Sequence, residues 1–373
     1  MSMVISIITF FVIFGVLVIS HEGGHFLIGR ANNIRVREFT VGLGPQIFHR
    51  IRNGTVFSIR LLPFGGACMF DGMPGMEEGD EEEDRLPQAS ALVNEIEDPK
   101  ELSAQGIAFN EAPVWSKIAT IFAGPLFNIL LAYLIAIIIT AVTPWNYAVI
   151  RGFTENSAAQ ATDLAEGDLI VRMNGARIRQ SAEVTMLSQF NRGEDITLVV
   201  ERDGTRREVT FTPSYSEEEG RYYMGIYLGE AGEISGAQVL PYAWYTVQYY
   251  ITTTYRSLWL LVTGRLGADA LAGPVGMVQM VDETYEVSRD LGPGVVVLHM
   301  LELLVILSVN LGVMNLLPIP ALDGGRLLFL LVEVVRGKPI PPEKEGYVHL
   351  AGIVALLILM VFILFNDIRR MIG

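Results

Sequence analysis

The sequence predicts a polytopic α-helical membrane protein with four transmembrane helices and one inserted β-rich domain. Three observations carry this. Hydrophobic residues make up 51% of the 373, charged residues only 18%, and the mean hydropathy is +0.39. These values point to long apolar segments rather than one large soluble core. Four stretches are individually long enough to span a bilayer core, which needs about 20 apolar residues at 1.5 Å rise each. Between the second and third, a long polar segment alternates like a series of strands.

The four spans are expected at residues 3–28, 115–142, 295–317 and 347–365. The first continues straight into a pair of histidines and lacks the positive start and small-residue cleavage site of a signal peptide. Residues 239–264 are also long enough to span, but Pro241, a run of threonines and Arg256 interrupt them, and Tyr and Trp abound. Such rings favour the membrane interface, so one or two amphipathic helices lying on or dipping into the surface are expected there. Positive charges set the orientation. Arg30, Arg35, Arg37, Arg52 and Arg60 follow the first span, and Arg326, Arg336, Lys338 and Lys344 follow the third. Both loops are therefore expected in the cytoplasm and both termini outside, although Arg369 and Arg370 point the other way.

Residues 147–214 read as a small domain of strands with one helix at 181–190, and Asp203-Gly204 marks a hairpin turn. Within it, residues 157–178 resemble the equivalent segment of PDZ domains, which bind extended peptides by adding them as a strand to an open sheet edge. The net charge of −14 argues against nucleic acid as a partner, since phosphate would be repelled. Much of the acidity lies in EEGDEEED at residues 77–84, expected to be a solvated loop. A single cysteine, Cys68, rules out an intrachain disulfide and reads as a structural thiol.

Chemistry enters at the end of the first span, where residues 21–25 read HEGGH. On a helix, His21 and His25 are one turn apart and can face one metal ion, with Glu22 within reach of a water at its open position. Zinc brings such a water to a pKa of about 7, and a carboxylate can then take its proton. Ionisable groups at membrane depth are costly and functional by default. Two histidines leave a catalytic zinc one protein ligand short. Position 31, where a third histidine would continue one common pattern, is Ala31. Glu38 lies in a strand-like stretch, His49 in a polar loop, and His299 and His349 at the starts of spans three and four, where interfacial residues are expected. The best remaining candidate is Asp323, after two prolines that break the third span and before Gly324-Gly325. Sharing one metal requires that residues 239–264 do not cross the membrane, because a further crossing would put Asp323 on the opposite face.

Together the motifs resemble the site-2 proteases, specifically the bacterial PDZ-containing intramembrane zinc metalloproteases of regulated intramembrane proteolysis. The resemblance covers nearly the whole chain and rests on HEGGH, FAGPLFN (122–128), NLLPIPALDGG (315–325), the PDZ-like segment and LAGPVGM (271–277). It implies Zn2+ held by His21, His25 and Asp323, with Glu22 as general base. Asn128 and Asn315 would serve substrate handling or support of the site. Residues 54–72 resemble the family's membrane-dipping β-hairpin, in which Gly65 and Gly66 would meet an extended substrate. Here Ala67-Cys68-Met69 departs from the family's usual Tyr-Val-Lys. The full expectation is four transmembrane helices, a membrane-associated hairpin and one inserted extracytoplasmic PDZ-like domain. Its parts would be membrane core at 1–146, PDZ-like domain at 147–214, an interfacial segment at 215–294 and membrane core again at 295–373. The implied setting is the bacterial cytoplasmic membrane, with the active site towards the cytoplasm. The implied partners are the lipid bilayer, single-span membrane substrates and an upstream protease that trims them outside. A catalytically inactive PDZ-bearing scaffold and a metal transporter are the rival readings. Retention of Glu22, His21, His25 and Asp323 opposes the first, and their clustering at one depth opposes the second.

Overall fold

The computed structural model describes residues 3–73, 105–155, 157–217, 220–267 and 271–372. The acidic run at 77–84 lies outside them. Contacts divide the chain into two compact units, one formed by Ala136–Thr253 and the other by the residues on either side of it.

Among the described residues, four helices are long and apolar enough to cross a membrane: α1 (Met3–Ala31), α2 (Val114–Val142), α6 (Pro293–Asn315) and α8 (Pro342–Ile372). Their outward faces carry large apolar side chains such as Val12, Leu134 and Ile358, all more than half exposed, as a lipid-facing surface requires. The interrupted segment folds as one continuous helix, α4 (Val239–Val262), and is not among the four. Pro241 falls in its first turn, where a proline without an N–H costs no helical bond, so the expected break does not occur. A further helix, α5 (Pro274–Ser288), packs Val281 among Phe10, Ile13 and Leu17 of α1 and Leu303 of α6. Its N-terminal amides at Gly273 and Gly276 donate to the buried Asp367 carboxylate of α8 at 3.1 and 3.0 Å.

Helices α1 and α2 approach unusually closely. A Cβ on Gly24 would sit 2.4 Å from the Ala123 carbonyl oxygen, and one on Gly124 would sit 2.3 Å from His25 Nε2. Neither position has room for any side chain. By contrast, nothing lies within 4 Å of a Cβ placed on Gly23.

The hairpin is larger than the sequence suggests. Strand β1 (Val36–Arg52) pairs with β2 (Thr55–Phe70) through a tight turn at Asn53-Gly54, both in the left-handed region with φ of 50° and 75°. Residues 54–72 therefore supply one arm and the turn rather than a whole hairpin. Strand β1 folds back so that Thr40 lies opposite both Ser58 and Ala67, and Val41 opposite both Ile59 and Gly66. The stretch 66–70 thus has β1 on one side and, among the described residues, no strand on the other.

The second unit holds a sheet of order β10-β3-β4-β6-β7, with short β5 against β4. The strands are β3 (Trp145–Phe153), β4 (Leu169–Met173), β5 (Ala176–Arg177), β6 (Ile196–Arg202), β7 (Thr205–Phe211) and β10 (Ile226–Gly232), and a lone pair, β8 (Ser214–Ser216) and β9 (Arg221–Tyr223), stands apart. Helix α3 (Ser181–Gln189) covers the core of Ile150, Ile170, Val184, Leu198 and Val200. The sheet therefore extends past the expected boundary at 214, because β10 closes it by pairing with β3. Asp168, fully buried, receives a two-pronged hydrogen bond from Arg202 at 2.6 and 2.8 Å and a third from the Ala165 N–H at 3.0 Å. Burial raises its pKa, but these donors outweigh burial and hold the carboxyl below its ordinary range.

Gly24→Ala should cost about 1–3 kcal/mol by forcing α1 off α2. Gly23→Ala should raise stability by up to about 1 kcal/mol through helix propensity. Thermal melting of the detergent-solubilised chain compares the two. A carboxyl with a depressed folded pKa stabilises fully above its unfolded value of about 3.9 and loses that contribution as pH falls through the folded value. The protease resistance of Ala136–Thr253 should accordingly weaken below about pH 4, and Asp168→Asn should remove that pH dependence and lower resistance at neutral pH.

Candidate metal centre

The closeness of α1 and α2 sets up the site. His21 and His25 lie on the face of α1 turned to α2, 8% and 6% exposed, with ring centroids 4.8 Å apart and planes nearly perpendicular. The His25 Nδ1 lies 2.9 Å from the Thr120 carbonyl oxygen of α2, an acceptor only, so the Nδ1 carries the proton and the Nε2 lone pair faces inward. The Nδ2 of Asn128, wholly buried, lies 3.3 Å from His21 Nδ1, and the amide's Oδ1 has no partner. With the amide turned so that Oδ1 accepts from an Nδ1–H, Nε2 is again left free to the interior. Ser308 of α6 donates to the Asn128 carbonyl oxygen at 2.8 Å, fixing the backbone that carries this amide.

The third group arrives from the broken end of α6. After Asn315 the chain turns through Pro318 and Pro320 and re-enters a helix, α7 (Asp323–Arg336), whose first residue is Asp323. Its Oδ2 lies 3.0 Å from His21 Nε2 and 3.4 Å from His25 Nε2, and the two Nε2 atoms are 3.3 Å apart. The tight turn explains the glycines that follow: a Cβ on Gly324 would sit 2.2 Å from the Leu317 carbonyl oxygen. Asn315 Nδ2 lies 3.4 Å from His21 Nε2.

These distances test whether the residues suit a metal ion. Two imidazole nitrogens with their lone pairs inward and one carboxylate oxygen all fall within 4.8 Å of each other. Asp323 Oδ2 is buried and makes no hydrogen bond. Electron pairs facing one another in a buried site repel unless a cation lies among them, and two imidazoles with one carboxylate form a donor set suited to zinc. The residues fit the group.

Glu22 shares a cavity of about 330 Å³ with these three side chains. The Cys68 backbone N–H donates to its carboxylate. A Cβ on Gly66 would lie 2.7 Å from Val18 and 3.2 Å from Glu22 Cγ, so strand β2 passes against α1 only because this residue has no side chain. Gly65, Gly66, Ala67 and Cys68 form one wall of the cavity.

Of the residues singled out in the sequence, His21, Glu22, His25, Asp323, Asn315, Gly65 and Gly66 line this one cavity, and Asn128 lies behind His21. Glu38 does not: its carboxylate pairs with Arg60 at 3.1 Å and accepts from Ser58. Two contributors escaped the sequence reading. Thr120 acts through its backbone, which no side-chain pattern reveals. His349, expected at an interface, is 5% exposed and accepts a hydrogen bond from the Ala321 N–H at 3.0 Å through Nδ1.

Residues 9–359 match peptidase family M50. The regulator of sigma-W protease RasP of Bacillus subtilis is 33% identical, with 98% of this chain and 99% of that protein covered. The zinc metalloprotease RasP of Shouchella clausii is 34% identical over 98% and 99%, and the probable protease eep of Enterococcus faecalis 31% over 98% and 99%. Among solved structures, the PDZ domain of the SdrC-like protein Lin2157 of Listeria innocua covers 24% of this chain and aligns over 99% of its own length at 17% identity, with a TM-score of 0.21. With the match running from within α1 to within α8, the chain belongs to peptidase family M50, the site-2 proteases that its HEGGH, FAGPLFN and NLLPIPALDGG segments resemble.

Proposed function

We propose that this chain is a zinc endopeptidase that cuts within the membrane-spanning segment of single-span proteins whose outer part has already been removed. The observation that carries the reading is the convergence of His21, His25 and Asp323 beside Glu22 in one cavity between helices long enough to span a bilayer. His21, His25 and Asp323 would hold Zn2+, which would supply Lewis acidity to the scissile carbonyl and bring water to a pKa of about 7. His25 is kept in register by the Thr120 carbonyl, and His21 by Asn128. Glu22 takes a proton from the attacking water as the new C–O bond forms. It then delivers that proton to the leaving nitrogen as the C–N bond breaks.

The substrate enters as a strand. A helical peptide bond has its carbonyl engaged and its faces shielded, so a transmembrane helix must unwind before it can be cut. The open side of stretch 66–70 offers backbone donors and acceptors to an extended chain, as an unpaired sheet edge does. Gly66 brings that edge against Glu22. The sheet unit at Ala136–Thr253 would serve as a PDZ-like, extracytoplasmic filter for trimmed substrates. A relative described as the regulator of sigma-W protease suggests anti-sigma-factor-like proteins as the substrate class.

The test is cleavage of a single-span substrate in liposomes, with the cut mapped by mass spectrometry. Glu22→Gln should lower kcat by about 10²–10⁴-fold while the protein still binds zinc. Asp323→Ala should lose both zinc and activity. A cut outside the substrate's membrane segment, or equal cutting by the Glu22→Gln protein, would overturn the reading. Zinc binding without any cleavage of a trimmed substrate would favour the scaffold.

A further inference from the structure

Asp323 follows a loop whose own hydrogen bonds leave one backbone amide without a partner inside it. Within that loop the turn hydrogen bonds run from Ile319 N–H to the Leu317 carbonyl and from Leu322 N–H to the Ile319 carbonyl, leaving the Ala321 N–H to find a partner elsewhere. Ala321 adopts φ of 78°, in the left-handed region. A residue with a Cβ is strained there and stays there only when its surroundings impose it. The surroundings come from α8. His349 Nδ1 accepts from the Ala321 N–H at 3.0 Å, and one turn on, Gly352 lies so close that a Cβ would be 2.4 Å from the Pro320 carbonyl oxygen. Residues three apart on a helix share a face, so one face of α8 grips two successive residues of the loop. Because Nδ1 accepts, the imidazole proton resides on Nε2, whose nearest carboxylate is Glu345 at 4.0 Å. The ring itself is buried and packs near Phe329, with centroids 6.0 Å apart.

We infer that His349 is a positioning residue for the metal centre: its hydrogen bond to Ala321 holds the left-handed turn that aims the Asp323 carboxylate at His21 and His25. The fourth long helix, which contributes no side chain to the cavity, thereby acts on it through the backbone two residues before Asp323. The inference rests on the reading of His21, His25 and Asp323 as zinc ligands.

The experiment titrates Zn2+ into the detergent-solubilised full chain against a chelator, and follows cleavage separately. His349→Phe keeps a ring and removes the acceptor. It should weaken zinc binding about tenfold, as loss of supports beyond the ligands commonly does. It should also lower kcat without moving KM. His349→Asn places an amide oxygen where Nδ1 was and should restore zinc affinity to within about threefold of the parent. Thermal melting accompanies each variant, and if the phenylalanine protein does not fold, His349→Leu replaces it as the size-matched partner of His349→Asn. Asp323→Ala separates the two levels of the argument. If it binds zinc as the parent does, the metal-centre reading falls. If it loses zinc while His349→Phe binds normally, or if His349→Asn is as impaired as His349→Phe, the positioning role of His349 is overturned and the metal centre stands.

Discussion

Three groups that repel one another are held together away from water, and the flanking unit is organised around that constraint. Two imidazole lone pairs and a carboxylate oxygen lie within 4.8 Å, and Asp323 Oδ2 has no hydrogen bond to offset its burial. Without a cation such a cluster would relax apart, because charge and unpaired polarity are costly in a low-dielectric interior. Each group is tied down from outside the cluster: His25 by the Thr120 carbonyl, His21 by Asn128, and Asp323 by the turn that precedes it. The same ties would pre-organise a zinc site.

Helix contact distance is the second requirement, and glycine meets it. Thr120 and Asn128 can support the histidines only if α2 lies against α1, and Gly24 and Gly124 permit that approach. Small residues at helix interfaces are the usual means of close packing in a membrane, where no hydrophobic force drives helices together. The two glycines of HEGGH therefore differ in kind. Gly24 is a steric necessity of the interface, whereas Gly23 faces open space.

How much of this could be read beforehand depended on whether the signal lay in side chains or backbone. The four spans were legible because hydropathy over 20 residues is a strong, local signal, and HEGGH was legible because i, i+4 spacing maps onto a helix face. Asp323 could be reached by elimination and by the proline-broken helix. The extent of the hairpin was not legible: β1 doubles back and meets β2 twice, and a register of that sort depends on partners far apart in sequence. For the same reason β10 fell outside the expected sheet, since it returns to β3 from more than 70 positions away. Thr120 and His349 were hidden because they act through main-chain atoms, where residue type gives little warning.

The hairpin walls the candidate metal centre with residues 65–68, and this links substrate conformation to chemistry. Gly66 lies against both Val18 and Glu22, so the wall that would receive substrate and the proposed base are in contact on one helix face. A strand laid along the open side of 66–70 would run past Glu22 at a distance fixed by that contact, within the cavity that also holds His21, His25 and Asp323. A helix could not make the same approach: its backbone groups are engaged internally and its side chains keep the axis about 5 Å or more from any surface it packs on. Under the proposed mechanism, selection for unwound substrate needs no separate recognition device, because the missing side chain at position 66 sets a distance that only extended backbone can reach.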